Sequence, residues 1–179
     1  METLASTDTR LFYLGLVALV ALERLVELAI TRRHAERLLE RGGVVVGQGH
    51  YRWMVLLHTA LLIAGPLEVW GLARPFVPPL AAAMTVLVVL GMALRYWVIA
   101  TLRDRWTTNV VVVPGEPLVE RGPYRRLRHP NYLAVVIEVA ALPLVHTAWL
   151  TALVFTVANA FLLRTRIRVE EAALAGAPS

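Results

Sequence analysis

The feature that most constrains this chain is an apolar stretch too long to be one membrane-crossing helix. Residues 131–163 number 33, and Glu138 is their only charge. As a single helix they would run about 50 Å at ~1.5 Å per residue, whereas a hydrocarbon core is about 30 Å thick. Pro143, His146 and Thr147 interrupt the middle. The stretch therefore predicts a tight hairpin of two shorter helices, over 131–145 and 148–170. Three further apolar runs precede it. One covers 11–31, its last turns made polar by Glu23, Arg24 and Glu27. The second covers 53–71, carrying His58 and ending near Glu68. The third covers 75–94, free of charge and closed by Arg95-Tyr96-Trp97. The expected fold is an all-α integral membrane protein of five transmembrane helices, a single membrane domain over 1–179 with three N-terminal spans in 1–100.

Charge orients these spans. Fourteen arginines fall in the loops after spans one and three and in the tail after span five, while only Arg10 and Arg74 fall on the opposite side. Cytoplasmic loops carry the excess of positive residues, so the N-terminus is expected outside and the C-terminus in the cytoplasm. The same count favours the hairpin, because one long helix would put Arg164–Glu171 across the bilayer from Arg121–Tyr132. Arg10 and the apolar run after it resemble a secretory leader, but no small-residue cleavage site follows, so the first span is expected to remain uncleaved. Ala172–Ser179 reads as a frayed tail.

Composition removes several chemistries. The apolar fraction is 58%, above the roughly 45–50% of soluble domains, so much of it should face lipid. With no cysteine, disulfides, thiolate zinc sites and cysteine nucleophiles are excluded. The basic residues are all arginine, which excludes Schiff-base and phosphate-loop lysine chemistry. The only serines are Ser6 and Ser179, which argues against a serine hydrolase. A net charge of +5 is read as arginine-rich loops facing anionic headgroups rather than as a nucleic-acid surface. His34, His50, His58 and His146 are scattered, so no metal is expected.

Two polar segments carry the chemistry. The first ends in Arg128-His129-Pro130-Asn131-Tyr132. Proline is well placed at the first position of a helix, which leaves His129 at a helix start near the membrane surface, with Tyr132 three residues on and able to face the same way. Tyr124 precedes them. Arg125, Arg126 and Arg128 are read as headgroup contacts. The second segment is Arg164–Glu171, where Arg166 and Glu170 share a helical face and Glu171 lies about 100° around. A hairpin brings the two segments together on the cytoplasmic side. Glycines 47 and 49 follow no strand and lack a third glycine, so no soluble nucleotide-binding fold is expected and any cofactor site should be all-helical.

These residues resemble a known family. Leu118-Val119, Gly122-Pro123-Tyr124 and Arg128-His129-Pro130-x-Tyr132, followed by Arg166-x-x-x-Glu170-Glu171, are similar to the isoprenylcysteine carboxyl methyltransferase family, membrane enzymes that use S-adenosylmethionine and are related to membrane phospholipid methyltransferases. Glu27, Gly42-Gly43 and His50-Tyr51 through His58 resemble its bacterial branch, some members of which methylate alkylresorcinols or alkylpyrones. The resemblance implies a catalytic core over 101–171. It implies cofactor contacts at Glu116, Pro117, Leu118, Val119, Tyr124, His129, Pro130, Asn131, Tyr132 and Glu170, and at Asn109, where the family has the longer amide. It also implies that Arg166 meets the acceptor. Ala134 stands where the family often has glycine. His129 or Glu171 is the candidate base for a phenolic acceptor, whereas a carboxylate acceptor needs none.

Glu138, six residues past Tyr132, is expected to face the acceptor. Glu23 and Glu27 are expected to pair with Arg24, Arg95 or Arg103, Arg95 to snorkel, and the five tryptophans to anchor at the interface. The expected activity is O-methylation of a lipophilic acceptor entering from the bilayer, either a prenylcysteine-type carboxylate or a polyketide-type phenol or enol. Two rival readings are an NADPH-dependent membrane reductase of the sterol type and a non-enzymatic small membrane protein.

Overall fold

The computed structural model describes residues 2–175, and their side chains other than those of residues 2–6, 48 and 50. Five α-helices follow in order: α1 Glu2–Glu40, α2 Gln48–Gly71, α3 Pro78–Leu102, α4 Pro130–Leu144 and α5 Trp149–Ala175. The expected hairpin is present as α4 and α5, joined by residues 145–148, with Pro143 in the last turn of α4. Three stretches among the described residues are long and apolar enough to cross a membrane: Tyr51–Gly71, Pro78–Arg105 and Trp149–Ala175. α4 is also apolar but has only 15 residues, about 22 Å at ~1.5 Å each. α1 is longer than the predicted 11–31, because the helix takes in residues 2–10 and continues past 31 over about two and a half turns of largely polar sequence to Glu40. Of the expected frayed tail, residues 172–175 continue α5, and 176–179 lie outside the described residues.

Leucine, valine and phenylalanine side chains such as Leu22, Leu25, Val86, Leu90, Val154 and Phe161 are exposed along these helices, the surface that lipid covers. The inward faces pack α4 between α3 and α5, α2 against α5 and α1 against α2. α3 and α4 approach closely because Gly91 has no side chain: a Cβ there would lie 3.1 Å from Glu138 Cγ and 3.5 Å from the Ala134 carbonyl. Ala134 is fully buried in that contact. A cluster of Met54, Leu61, Tyr132, Val135, Val139 and Leu163 forms the core between α2, α4 and α5.

Charged residues fill part of the interior. Arg24 lies 2.9 Å from both Glu23 and Glu27 and 3.4 Å from Glu138, while Arg95 pairs with Glu138 and lies 3.3 Å from Glu27. The expected pairing of Glu23 and Glu27 with Arg24 and Arg95 is therefore present. Arg95 does not snorkel: it is 3% exposed, held inward by two carboxylates whose burial requires a partner charge. Trp53, Trp70, Trp97 and Trp149 are exposed near helix ends, whereas Trp106 is buried.

One element was not expected. β1 Val44–Val46 pairs antiparallel with β2 Val110–Val112, with Val45 opposite Val111. This ribbon ties the segment after α1 to the segment after α3, on the side where the polar segments meet.

Candidate active site

Pro130 occupies the first turn of α4 and His129 caps it. One turn on, the Tyr132 ring stacks on the His129 ring with centroids 5.4 Å apart. α5 returns antiparallel beside them. Arg166 Nε donates to the Tyr132 hydroxyl at 2.8 Å, and that hydroxyl donates to Glu170. The rest of the Arg166 guanidinium is also engaged, with Met54 Sδ at 3.3 Å and with the Thr108 carbonyl. Glu171, on the adjoining face, meets His129 Nε2 at 3.2 Å. The two glutamates therefore serve different rings, as their 100° separation requires.

Two cavities meet at this constellation. A polar cleft of about 610 Å³, open to solvent, is lined by Asn109, Tyr124, His129, Asn131, Tyr132 and Glu170, with β2 as one wall. An apolar chamber of about 770 Å³ adjoins it, lined by Leu28, Met54, Val55, Leu62 and Val135 together with Arg24, Glu27, Arg95 and His58. Trp106, Asn131, Tyr132 and Arg166 line both, so four side chains make a common partition. Two buried polar atoms of that partition, Asn131 Oδ1 and Trp106 Nε1, have no hydrogen-bond partner among the described residues. Buried polar atoms are ordinarily satisfied, so an acceptor and a donor are left at the junction of the two spaces. Burial, and then the negative charge of Glu170, push the Tyr124 phenol above its ordinary range.

Not all the expected residues gather here. Asn109, Tyr124, His129, Asn131, Tyr132, Arg166 and Glu170 line the cleft, Pro130 is buried behind it, and Glu171 sits at its rim. Glu116, Pro117, Leu118 and Val119 do not line it. Glu116 pairs with Arg41 and lies 2.9 Å from Arg105; the Pro117 carbonyl accepts from Arg105 at 2.8 Å; Leu118 is exposed. Two guanidiniums thus hold this loop against the ends of α1 and α3. Glu138 lines neither cavity, since Arg95 and Arg24 take up its carboxylate. The site is also not all-helical, because β2 forms part of the cleft. Sequence reasoning missed Trp106, Met54 and Thr108, as well as Tyr51, whose hydroxyl lies 3.2 Å from Thr108 Oγ1. The available signal was two valine runs, Val44–Val46 between glycines and Val110–Val113 before Pro114, which mark short strands.

Residues 83–176 match the isoprenylcysteine carboxyl methyltransferase (ICMT) family. The chain belongs to that family. It is similar over most of its length to the uncharacterized protein YpbQ of Bacillus subtilis (strain 168), at 34% identity over 160 residues, 89% of this chain and 94% of that protein. It is also similar to an uncharacterized protein of Haemophilus influenzae, at 27% identity over 152 residues, 84% of this chain and 88% of that protein. ICMT membership points to a membrane methyltransferase. The matched segment takes in α4, α5, most of α3 and the whole polar cleft, while α1 and α2, which build much of the apolar chamber, lie before it.

Proposed function

We propose that this chain is an S-adenosylmethionine-dependent O-methyltransferase, taking its methyl donor in the polar cleft and a lipophilic acceptor in the apolar chamber. The observation that carries this reading is the shared lining: a polar cleft and an apolar chamber meet at Trp106, Asn131, Tyr132 and Arg166. When bound, S-adenosylmethionine supplies an electrophilic methyl group on a sulfonium. The cleft's side chains suit it. Glu170 is a carboxylate for its ammonium group, with lone pairs to spare beyond the Tyr132 hydroxyl. The rings of Tyr124 and Tyr132 offer faces to a sulfonium cation. Asn109 and Asn131 offer amides to a base edge. Arg166 holds Tyr132 and Glu170 in place, and His129 with Glu171 closes the rim. Catalysis then rests on positioning two reactants and excluding water.

In the membrane, the reading places five spans with the N-terminus outside, the cleft and C-terminus on the cytoplasmic side, and the acceptor arriving from the bilayer. The arginine count supports this, as does the clustering of the cleft with the arginine-rich loops.

Calorimetry on the purified protein in detergent tests the cofactor: S-adenosylmethionine should bind and NADPH should not, and the reverse would favour a sterol-type reductase. Mass spectrometry of membrane lipid extracts from cells with and without the gene should then find a lipid heavier by one methylene. No affinity for either cofactor and no new lipid would refute an enzymatic role.

A further inference from the structure

His58 sits inside α2, about 15 Å from the helix start at ~1.5 Å per residue, and it lines the apolar chamber. Ionisable side chains at such depth are costly unless they have a use. Its Nδ1 lies 2.7 Å from the Met54 carbonyl. A carbonyl only accepts, so Nδ1 must carry the hydrogen. That fixes the tautomer and leaves Nε2 as an unprotonated nitrogen, with no hydrogen-bond partner among the described residues. His129, by contrast, faces the polar cleft, and its Nε2 is engaged by Glu171 at 3.2 Å.

The chamber offers little to an anion. Arg24 and Arg95 are shared among Glu23, Glu27 and Glu138, three carboxylates for two guanidiniums. Arg166 is taken up by Tyr132, Met54 and Thr108. The nitrogens of Arg166 are thus already engaged by neutral groups, while its charge has no carboxylate within ion-pair distance among the described residues. Among the chamber's neutral side chains, the polar atoms left unengaged are His58 Nε2, Asn131 Oδ1 and the Trp106 N–H. That set fits a hydroxyl group beside a second polar atom. A phenol, with a pKa of about 10, must lose its proton to be methylated at neutral pH, and a histidine within hydrogen-bond reach is the usual means.

We propose that His58 is a catalytic residue on the acceptor side: its Nε2 accepts the hydroxyl hydrogen bond of a neutral, lipid-soluble acceptor in the apolar chamber and takes the proton as that oxygen is methylated. This rests on the methyltransferase reading. The acceptor oxygen forms a bond to the methyl carbon, the carbon–sulfur electron pair stays on sulfur as a neutral thioether, and the hydroxyl proton passes to Nε2. The charged and titratable groups that share the chamber are Arg24 and Glu27 from α1, Tyr51 from α2, Arg95 from α3, Tyr132 from α4 and Arg166 from α5.

The full-length protein in nanodiscs tests this, with three probes: a phenol bearing a long alkyl chain, its methyl ether, and a fatty acid of matched length. Without cofactor, the wild type should bind the phenol about tenfold more tightly than the ether, and His58→Phe should bring the ratio near one. Retained S-adenosylmethionine affinity in the variant reports an intact fold. Labelled-methyl transfer to the phenol should fall about 10²–10⁴-fold in His58→Phe, the range for loss of a general base. His58→Gln should recover phenol binding without the rate, and should lose the acid limb of the kcat/KM profile. Wild-type rates in His58→Phe, or preferred methylation of the fatty acid regardless of residue 58, would overturn the role of His58 and leave the methyltransferase reading standing. Absence of S-adenosylmethionine binding to the wild type would overturn both.

Discussion

Tyr132 carries more of the site than any other side chain. Its hydroxyl receives Arg166 Nε and donates to Glu170, its ring stacks on His129, and the Arg166 guanidinium carbon lies 5.4 Å from its ring centre. Each contact comes from α5 or from the start of α4, so this phenol stitches the two arms of the hairpin together. In Tyr132→Phe the ring survives, but Arg166 Nε and Glu170 both lose their partner in a largely buried place. Leaving such groups unsatisfied costs about 1–3 kcal/mol. The variant should therefore melt at lower temperature, with unchanged helix content by circular dichroism. The Arg166 fork explains why residue type mattered in the sequence: its three nitrogens meet a hydroxyl, a thioether and a carbonyl, a set that lysine, with one ammonium, cannot span.

Among the elements, the hairpin turn decides whether the site exists. Glu68, at the end of α2, accepts from the Leu150 N–H at 3.2 Å, the Thr151 N–H at 2.6 Å and the Thr151 hydroxyl at 2.7 Å, and it pairs with Arg74 at 2.8 Å. It caps α5 from another helix, meeting N–H groups that the first turn cannot satisfy internally. Glu68→Ala should destabilise the protein by about 1–2 kcal/mol, in the range of lost helix caps, and fray the start of α5, measurable as faster amide exchange at Leu150 and Thr151. The hairpin was legible because a length, 33 residues, exceeded a thickness, and Pro143 marked where to fold. Pro130, His129, Tyr132 and the paired glutamates were legible because helical spacing sets which of them can meet. The β1–β2 ribbon was not, since each strand is three residues long and its partner is 66 positions away. The partners of Glu116 and Glu138 were hidden for a related reason: a carboxylate near a site in sequence pairs with whichever guanidinium the fold delivers, here Arg41 and Arg105 for Glu116 and Arg24 and Arg95 for Glu138.

For the whole molecule, the interior ion pairs matter as much as the apolar faces. Glu23, Arg24 and Glu27 on α1, Arg95 on α3 and Glu138 on α4 join three helices by charge, where lipid-facing side chains supply no driving force between helices. The orientation proposed above is open to a clean test because the chain has no cysteine. Single cysteines at the exposed positions Leu72 and Ala172 report opposite ends of the bundle. A membrane-impermeant maleimide should label Leu72→Cys in intact cells and Ala172→Cys only after permeabilisation. The opposite pattern would put the cleft outside.

The partition has a consequence of its own. Trp106, Asn131, Tyr132 and Arg166 each present a surface to both spaces, so a guest on one side that reorders any of them alters what the other side offers. Affinities on the two sides are then bound by thermodynamic reciprocity: whatever factor the water-borne guest adds to the hold on the greasy one, the greasy one returns in full. A protein built this way would register the guest of one space through its hold on the guest of the other.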